Sequence, residues 1–101
     1  MSKRAQRGCW VMQCPVISTG HVPEDVRDAM LEAPGKDSFY GLYHAPTEHG
    51  CFVACPDDLG VQEALPIPLR NCVAWAIRNG FKWLRFDADG DLIPELKTYD
   101  W

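Results

Sequence analysis

Several features that define common classes of protein are missing from this sequence of 101 residues. No apolar run approaches the roughly 20 residues that a membrane-spanning helix needs. The apolar residues after the basic start are interrupted by Gln13 and Pro15, so no secretory signal segment fits there. No Gly-rich phosphate loop and no nucleophile elbow is present. We therefore predict a cytoplasmic protein without a membrane anchor, and we expect binding rather than catalysis.

Positive charge is scarce and unevenly placed. Ten Lys and Arg residues stand against 14 Asp and Glu residues, which gives a net charge of −4. Lys3, Arg4 and Arg7 make residues 1–8 basic, whereas residues 87–101 are strongly acidic. Because nucleic-acid binding depends on Lys and Arg that neutralise phosphates, an acidic body disfavours it, except through the basic N-terminal arm. The acidic C-terminal part either keeps the domain soluble or fits the basic surface of a protein partner.

The sequence has enough apolar material for one hydrophobic core. It contains four Trp, four Phe and three Tyr residues, and 47% of its residues are hydrophobic. The five cysteines are an odd number, which suits reduced thiols in the cytoplasm. We predict a flexible basic tail over residues 1–8 and a single α+β domain over residues 9–101. The sequence does not indicate an oligomeric state.

Two helices are predicted from residues that start and stop them. Pro23 starts the first helix, because proline is pre-set for the first turn, and Pro34-Gly35 ends it. Residues 61–67 are expected to be irregular, Pro68 to start the second helix and Asn79-Gly80 to end it. The positions predicted to face the core are Val22, Val26, Ala29, Met30 and Ala33 in the first helix, and Leu69, Cys72, Val73, Ala76 and Ile77 in the second.

Strands are predicted before, between and after these helices. Residues 9–17 are the candidate for the first strand, and Pro15–Ser18 is the shorter alternative, because a proline cannot donate to a ladder. Residues 39–44 and 51–55 form an antiparallel hairpin. Residues 81–93 are interpreted as a strand, a tight turn at Asp89-Gly90 and a returning strand.

The resulting order of elements is strand, helix, strand, strand, helix, strand. This order is that of a split βαβ, ferredoxin-like α+β fold. It predicts one antiparallel or mixed sheet with both helices on one face, and the C-terminal hairpin strand is added to it.

The acidic hairpin invites a metal-site hypothesis. Asp87, Asp89 and Asp91 alternate at its tip, but a calcium-binding EF-hand loop needs glycine at its sixth position and Glu at its twelfth, between two helices. Alternating acids at a hairpin tip can hold Mg²⁺ for hydrolysis when residues from elsewhere in the chain, such as His21, complete the site. The alternative is an ordinary charged turn, which we favour.

The number of cysteines suggests a zinc site, but their spacing does not support one. The pairs Cys9/Cys14 and Cys51/Cys55, with His49 nearby, miss the spacing of zinc knuckles. Cysteines that act as small hydrophobic side chains in the core are the better interpretation. No metal and no cofactor is predicted.

Two further groups are candidates for a site. Ser18, Thr19 and His21 lie between a strand and a helix start, where backbone amides can hold an anion. His21 either takes part in such a site or hydrogen-bonds the loop together. Tyr99 and Trp101 at the C-terminal end either fold back onto the core's edge or are exposed anchors for a partner.

Two stretches resemble a known family when they are taken together. Residues 16–24 (VISTGHVPE), and residues 83–91 (WLRFDADGD) with residues 98–101 (TYDW), resemble an uncharacterised family of short bacterial proteins carried on plasmids and other mobile elements. The family has no activity to transfer, so no residue receives a catalytic role. The resemblance implies a setting in which accessory genes encode small proteins that blunt host defences.

The leading hypothesis is a small, acidic, non-enzymatic protein that binds another protein. In the implied setting the target is a host defence complex, such as an RNA-guided nuclease whose basic channel an acidic surface can occupy. The alternative is a metal-dependent hydrolase or nuclease built on the acidic hairpin. The residues predicted to bind the partner are Asp87, Asp89, Asp91, Tyr99, Asp100 and Trp101.

Overall fold

The structure is a computed structural model that describes residues 2–4, 10–32 and 39–101. Strand β1 (Ser2–Arg4) pairs antiparallel with β2 (Trp10–Met12). Residues 1 and 5–8 of the predicted tail lie outside the described residues, and the flexibility of that tail stays a prediction. Within the described ranges, no helix has the length and apolar character needed to cross a membrane.

The main sheet has four strands in the order β3-β6-β5-β4. These strands are β3 (Val16–Ser18), β4 (His44–Thr47), β5 (Gly50–Ala54) and β6 (Trp83–Asp87). The β3–β6 pair is parallel, and the other two pairs are antiparallel. The sheet is therefore mixed, and the predicted α+β class is confirmed.

The ferredoxin-like order is not confirmed. In that arrangement the first strand separates the third from the fourth. Here β5 and β6 are direct antiparallel neighbours, and β3 lies at the edge beside β6. The order of elements along the chain is the same in both cases, because it does not determine which strands pair.

The helices are α1 (Glu24–Met30), α2 (Leu59–Glu63) and α3 (Ile67–Arg78). The predicted end of the second predicted helix is confirmed, since Asn79 caps α3, whereas α3 starts at Ile67, one residue before the predicted Pro68. Gly80 follows with a φ of 83°, in the left-handed region that glycine adopts without strain. The first predicted helix begins directly after Pro23, as expected; its predicted stop at residues 34–35 lies outside the described residues, and α1 ends at Met30.

Helix α2 corrects the prediction of an irregular stretch before the second predicted helix. The Asp58 carboxylate accepts hydrogen bonds from the backbone N–H groups of Gly60 and Val61, at 2.7 and 3.2 Å. Such an N-cap satisfies amides that the first turn leaves unpaired, and it stabilises a helix of only five residues.

The core lies between one face of the sheet and the helices. Ile17, Leu84 and Phe86 from the sheet are fully buried there. Of the predicted core positions, Val22, Val26, Met30, Leu69, Cys72, Val73 and Ala76 are buried and Ala29 is partly buried, whereas Ala33 lies outside the described residues. Ile77 is 38% exposed, and Trp75 is buried instead.

The predicted β4–β5 hairpin is confirmed, with a two-residue turn at Glu48-His49 between Thr47 and Gly50. Its first strand is shifted, because it begins at His44 rather than Phe39. Pro46 lies in β4, although the predicted strands leave residues 45–50 to the loop between them. A proline is tolerated there because β4 is an edge strand, where a missing N–H breaks no ladder on the outer side.

The predicted returning strand after β6 is wrong. Asp91 forms a single parallel bridge with Ile17, on the outer edge of β3, instead of pairing with β6. The Ser18 N–H donates to the Asp91 carbonyl at 2.9 Å, and the Asp91 N–H donates to the Val16 carbonyl at 3.3 Å. A Cβ at Gly90 would lie 2.4 Å from the Ile17 carbonyl carbon, so only glycine permits this close crossing. The crossing covers the edge of β3, which would otherwise be free to pair with another chain.

Candidate functional site

The C-terminal segment, residues 91–101, folds back onto the start of the domain. The Tyr99 N–H donates to the Gly20 carbonyl at 2.8 Å, and the indole Nε1–H of Trp101 donates to the Val22 carbonyl at 2.9 Å. Of the two alternatives for these aromatic residues, the structure therefore shows the fold-back arrangement. Trp101 nevertheless keeps 47% of its surface exposed.

His21 anchors this segment to the domain by hydrogen bonds. The side chain is buried, and its Nδ1 lies 2.9 Å from the Lys97 carbonyl oxygen. Its Nε2 accepts a hydrogen bond from the Ile93 N–H at 2.9 Å. Since Nε2 accepts, the ring is the neutral tautomer with its proton on Nδ1. Both ring nitrogens are engaged by the backbone of the C-terminal segment, so His21 is a positioning residue in this structure.

Trp101 is held in one orientation by a second contact. The guanidinium of Arg27, on α1, lies 4.6 Å from the centre of the indole ring. A cation over the face of a tryptophan attracts it electrostatically, typically by about 0.5–1 kcal/mol at an exposed position. The hydrogen bond to Val22 and the contact with Arg27 together orient a half-exposed aromatic side chain before any partner arrives.

Two clefts are lined in part by Trp101. The first has a volume of about 310 Å³, and it is lined by Ser18, Thr19, Gly20, Ala88, Tyr99 and Trp101. The second, of about 200 Å³, is lined by Thr19, Arg27, Leu31, Glu48, His49, Ala88 and Trp101. We call the residues that line either cleft the C-terminal face. The structure thus brings the predicted loop residues Ser18 and Thr19 against the predicted anchors Tyr99 and Trp101.

The predicted acidic residues have different environments. The side chain of Asp87 is only 15% exposed, lies 3.3 Å from Nη2 of Arg85, and accepts a hydrogen bond from the Asp89 N–H at 2.9 Å. Its carboxylate therefore stabilises the turn after β6. Asp89, Asp91 and Asp100 are exposed. Their charges are available to a partner, whereas that of Asp87 is largely compensated inside the domain.

The described residues include no grouping of three or more His, Cys, Asp or Glu side chains that could hold a metal ion. The three aspartates of the predicted hairpin do not converge because Asp91 has crossed to the far edge of β3.

The described cysteines are Cys14, Cys51, Cys55 and Cys72, and all four are free thiols. Burial raises the pKa of Cys51 and Cys72 to about 12. Burial also raises the pKa of Cys55 to about 11, with a smaller contribution from Cys14. Thiols with raised pKa values are poor nucleophiles, which agrees with their interpretation as small hydrophobic side chains. Cys9 lies outside the described residues.

Sequence reasoning missed Arg27 and Ala88, which line the clefts beside Trp101. Nothing in the local sequence marks them, because Arg27 is an ordinary surface position of a short helix and Ala88 an ordinary turn residue. Both become part of the face only when the C-terminal segment returns to β3 and α1.

No curated protein and no solved structure matches the chain. Residues 14–101 match the model of a family described as "Family of unknown function (DUF5983) C-terminal domain". This match confirms the resemblance to an uncharacterised family and extends over the whole main sheet.

Proposed function

Since the chain belongs to this family of unknown function, we propose from the geometry of its own residues that the domain is a non-enzymatic module that binds a protein partner through the C-terminal face. The observation that carries the proposal is the state of Trp101. Its indole is half exposed, yet it is fixed by Val22 and Arg27 and flanked by two clefts.

A fixed and exposed tryptophan has the properties of an interface anchor. Tryptophan is enriched among the few residues that carry most of the binding energy of an interface. A side chain that is already held in one rotamer loses little further conformational entropy when a partner covers it. The clefts beside Trp101 offer room for side chains of that partner.

The charge around this face favours a basic partner. Asp89, Asp91 and Asp100 are exposed, and the turn after β6 places Ala88 on the lining of both clefts. Complementary charge raises association rates and selects against acidic partners more than it adds affinity. Arg27 does not oppose this preference, because its guanidinium is already engaged by the Trp101 ring and lies 3.0 Å from the Asp28 carboxylate.

The biological setting is part of the proposal and rests on the resemblance of residues 16–24 and 83–101. In that setting the chain is an accessory protein of a mobile element that acts in the cytoplasm. Its target is a host defence complex, such as an RNA-guided nuclease. The C-terminal face, with the exposed Asp89, Asp91 and Asp100 around it, blocks the basic nucleic-acid channel of that complex. The domain is then an inhibitor that competes with the nucleic acid for the channel.

The test is an affinity pull-down from a bacterial lysate, with and without nuclease treatment, read by mass spectrometry. We expect a stoichiometric protein partner that is retained after nuclease treatment. The variants Trp101→Ala and Asp89→Lys/Asp91→Lys should lose it, whereas Glu63→Lys, an exposed acid on α2, should retain it. A partner that binds the charge-reversed variant as well as the original chain contradicts the proposal.

The metal-dependent hydrolase stays a rival hypothesis with its own test. It predicts saturable binding of Mg²⁺ or Mn²⁺ that is lost in Asp87→Asn. If isothermal titration calorimetry detects no heat of binding for either ion, the hydrolase hypothesis is wrong.

A further inference from the structure

A separate groove lies at the other end of the sheet, where β5 ends. It has a volume of about 370 Å³ and lies between the Phe39–Leu42 turn, the end of β5 and the start of α2. It is lined by Gly41, Leu42, Tyr43, Ala54, Cys55, Pro56, Asp57, Asp58 and Val61, and we call it the tyrosine groove. It shares no lining residue with the C-terminal face.

The floor of the tyrosine groove is apolar and belongs to the core. Leu42 is buried, and Cys55 and Val61 are partly buried hydrophobic residues packed against the core. Tyr43 stands at the rim and is 62% exposed. A floor of this kind is rigid, and it gains hydrophobic stabilisation from any apolar side chain that covers it.

A second, smaller cleft of about 180 Å³ adjoins the groove. The two share Cys55 and Asp57, and the smaller one extends to Ile77 and Phe81. A groove that runs over two adjoining clefts suits a chain segment with more than one anchor residue better than a single small molecule.

One wall of the groove is held by an unusual backbone turn. Tyr40 and Gly41 have φ values of 55° and 84°, and the Leu42 N–H donates to the Phe39 carbonyl at 2.9 Å. These features define a type I′ turn, which favours Asn or Gly at its first central position. A bulky residue there is a genuine outlier, and such outliers cluster at ligand-binding sites. Tyr40 is exposed, and it directly precedes the lining residue Gly41.

The charges around the groove indicate the chemistry of its occupant. Asp57 and Asp58 are exposed on its lining, and Asp25 and Glu32 add negative charge near Tyr40. Lys82, on the lining of the smaller cleft, is a basic side chain that opposes this preference at the far end. An apolar floor with an acidic rim is complementary to an apolar anchor flanked by positive charge.

We propose that the tyrosine groove binds a peptide segment of a protein partner, in which an aliphatic or aromatic anchor residue is flanked by Lys or Arg. This inference goes beyond the proposed function, because it assigns a second docking surface that stands or falls independently of Trp101. A partner that reaches both ends of the sheet gains affinity from two linked contacts.

The test selects random phage-displayed dodecapeptides on the purified domain and measures the affinity of enriched synthetic peptides by fluorescence polarisation. The expected consensus is an aliphatic or aromatic residue next to Lys or Arg. Tyr43→Ala and Asp57→Lys should each weaken binding by about tenfold or more. Trp101→Ala and Glu48→Lys are the matched aromatic and charge controls, and they should leave the affinity unchanged. Amide shift changes should centre on Leu42, Cys55 and Val61.

Three outcomes would contradict the proposal that the tyrosine groove binds a peptide. The first is the absence of any enriched peptide, and the second is a consensus without an apolar anchor or with acidic flanks. The third is binding that depends on Trp101 and Glu48 but not on Tyr43 and Asp57. That third outcome supports binding at the C-terminal face and contradicts binding in the tyrosine groove, so the two proposals can be tested separately.

Discussion

The imidazole of His21 lies between two backbone groups of the C-terminal segment, 2.9 Å from the Lys97 carbonyl oxygen and 2.9 Å from the Ile93 amide nitrogen. One side chain thereby joins groups that are 76 and 72 residues away in the sequence. Replacing it leaves the Lys97 carbonyl and the Ile93 amide, which form partly buried hydrogen bonds, without these partners, so its effect should exceed that of an exposed histidine.

We expect His21→Ala to lower the free energy of unfolding by about 1–3 kcal/mol in total, because each of the two partly buried groups that loses its hydrogen-bond partner costs less than a fully buried group would. Urea unfolding measures the loss of stability. Hydrogen exchange of the Ile93 amide should accelerate by more than this global loss alone would cause. His49→Ala is the matched control, since His49 is exposed on the β4–β5 turn. Equal effects of the two variants contradict the role of His21.

We expect Gly90→Ala to destabilise the fold by about 2 kcal/mol or more, an effect of the size that overpacking produces. Its new Cβ would lie 2.4 and 2.5 Å from the Ile17 carbonyl carbon and oxygen, which are backbone atoms that cannot turn aside. In Gly60→Ala the nearest atom is an Asp58 side-chain oxygen at 3.1 Å, and that variant should be near neutral. Thermal unfolding compares them. A neutral Gly90→Ala would mean that the crossing over β3 is loose.

Tyr40→Asn should raise the free energy of unfolding by about 1 kcal/mol, because asparagine tolerates the left-handed conformation that a bulky L-residue adopts only under strain. The same variant should bind groove-selected peptides more weakly. Urea unfolding and fluorescence polarisation measure the two effects. Tyr43→Asn, at an exposed neighbour whose φ is not positive, should give no such stabilisation. A destabilised Tyr40→Asn contradicts the strain argument.

Stability should fall as the pH rises above about 9. The thiols of Cys51 and Cys72 have their pKa raised by burial from 9.0 to about 12, so the unfolded chain loses these protons first. Between those limits the unfolded state binds fewer protons than the native state, and each thiol lowers stability by up to about 1.4 kcal/mol per pH unit. Below pH 9 this contribution vanishes.

Urea unfolding from pH 8 to 11 measures this dependence. Cys51→Ala/Cys72→Ala should flatten it, and Cys14→Ala, at a half-buried thiol, should change it less. Iodoacetamide at pH 8 should spare Cys51 and Cys72 in the folded chain, as read by peptide mass spectrometry. Rapid alkylation of either thiol under native conditions contradicts their burial.

A double-mutant cycle should detect the contact between Arg27 and Trp101. Arg27→Gln and Trp101→Leu remove the cation and the ring in turn, and we expect a coupling free energy of about 0.5–1 kcal/mol. Lys97 and Tyr99, 5.2 Å apart from ammonium to ring centre, provide a comparison pair on the same segment. A coupling of zero for Arg27 and Trp101 would show that the indole is oriented by Val22 alone.

Local sequence patterns were sufficient where an element is determined by its own residues. Pro68 and Asn79-Gly80 marked α3, because they act on the first and last turn of the helix that contains them. The β4–β5 hairpin was found because both strands and their turn lie within eleven residues. The misplaced boundary of β4 and the missed helix α2 arose where turn residues, Pro46 and Asp58, had structural roles that the pattern allows but does not require.

The sequence by itself determined the α+β class, the C-terminal end of α3 and the acidic character of the C-terminal part. Only the tertiary structure decided that β6 lies between β3 and β5, and that Asp91 crosses to the far edge of β3. Propensities and caps act over a few residues, whereas β3 pairs with β6 across 69 positions, as in Ile17 with Phe86, and Trp101 contacts Val22 across 79 positions. Such contacts depend on which arrangement satisfies the backbone and buries the apolar faces of the whole chain at once.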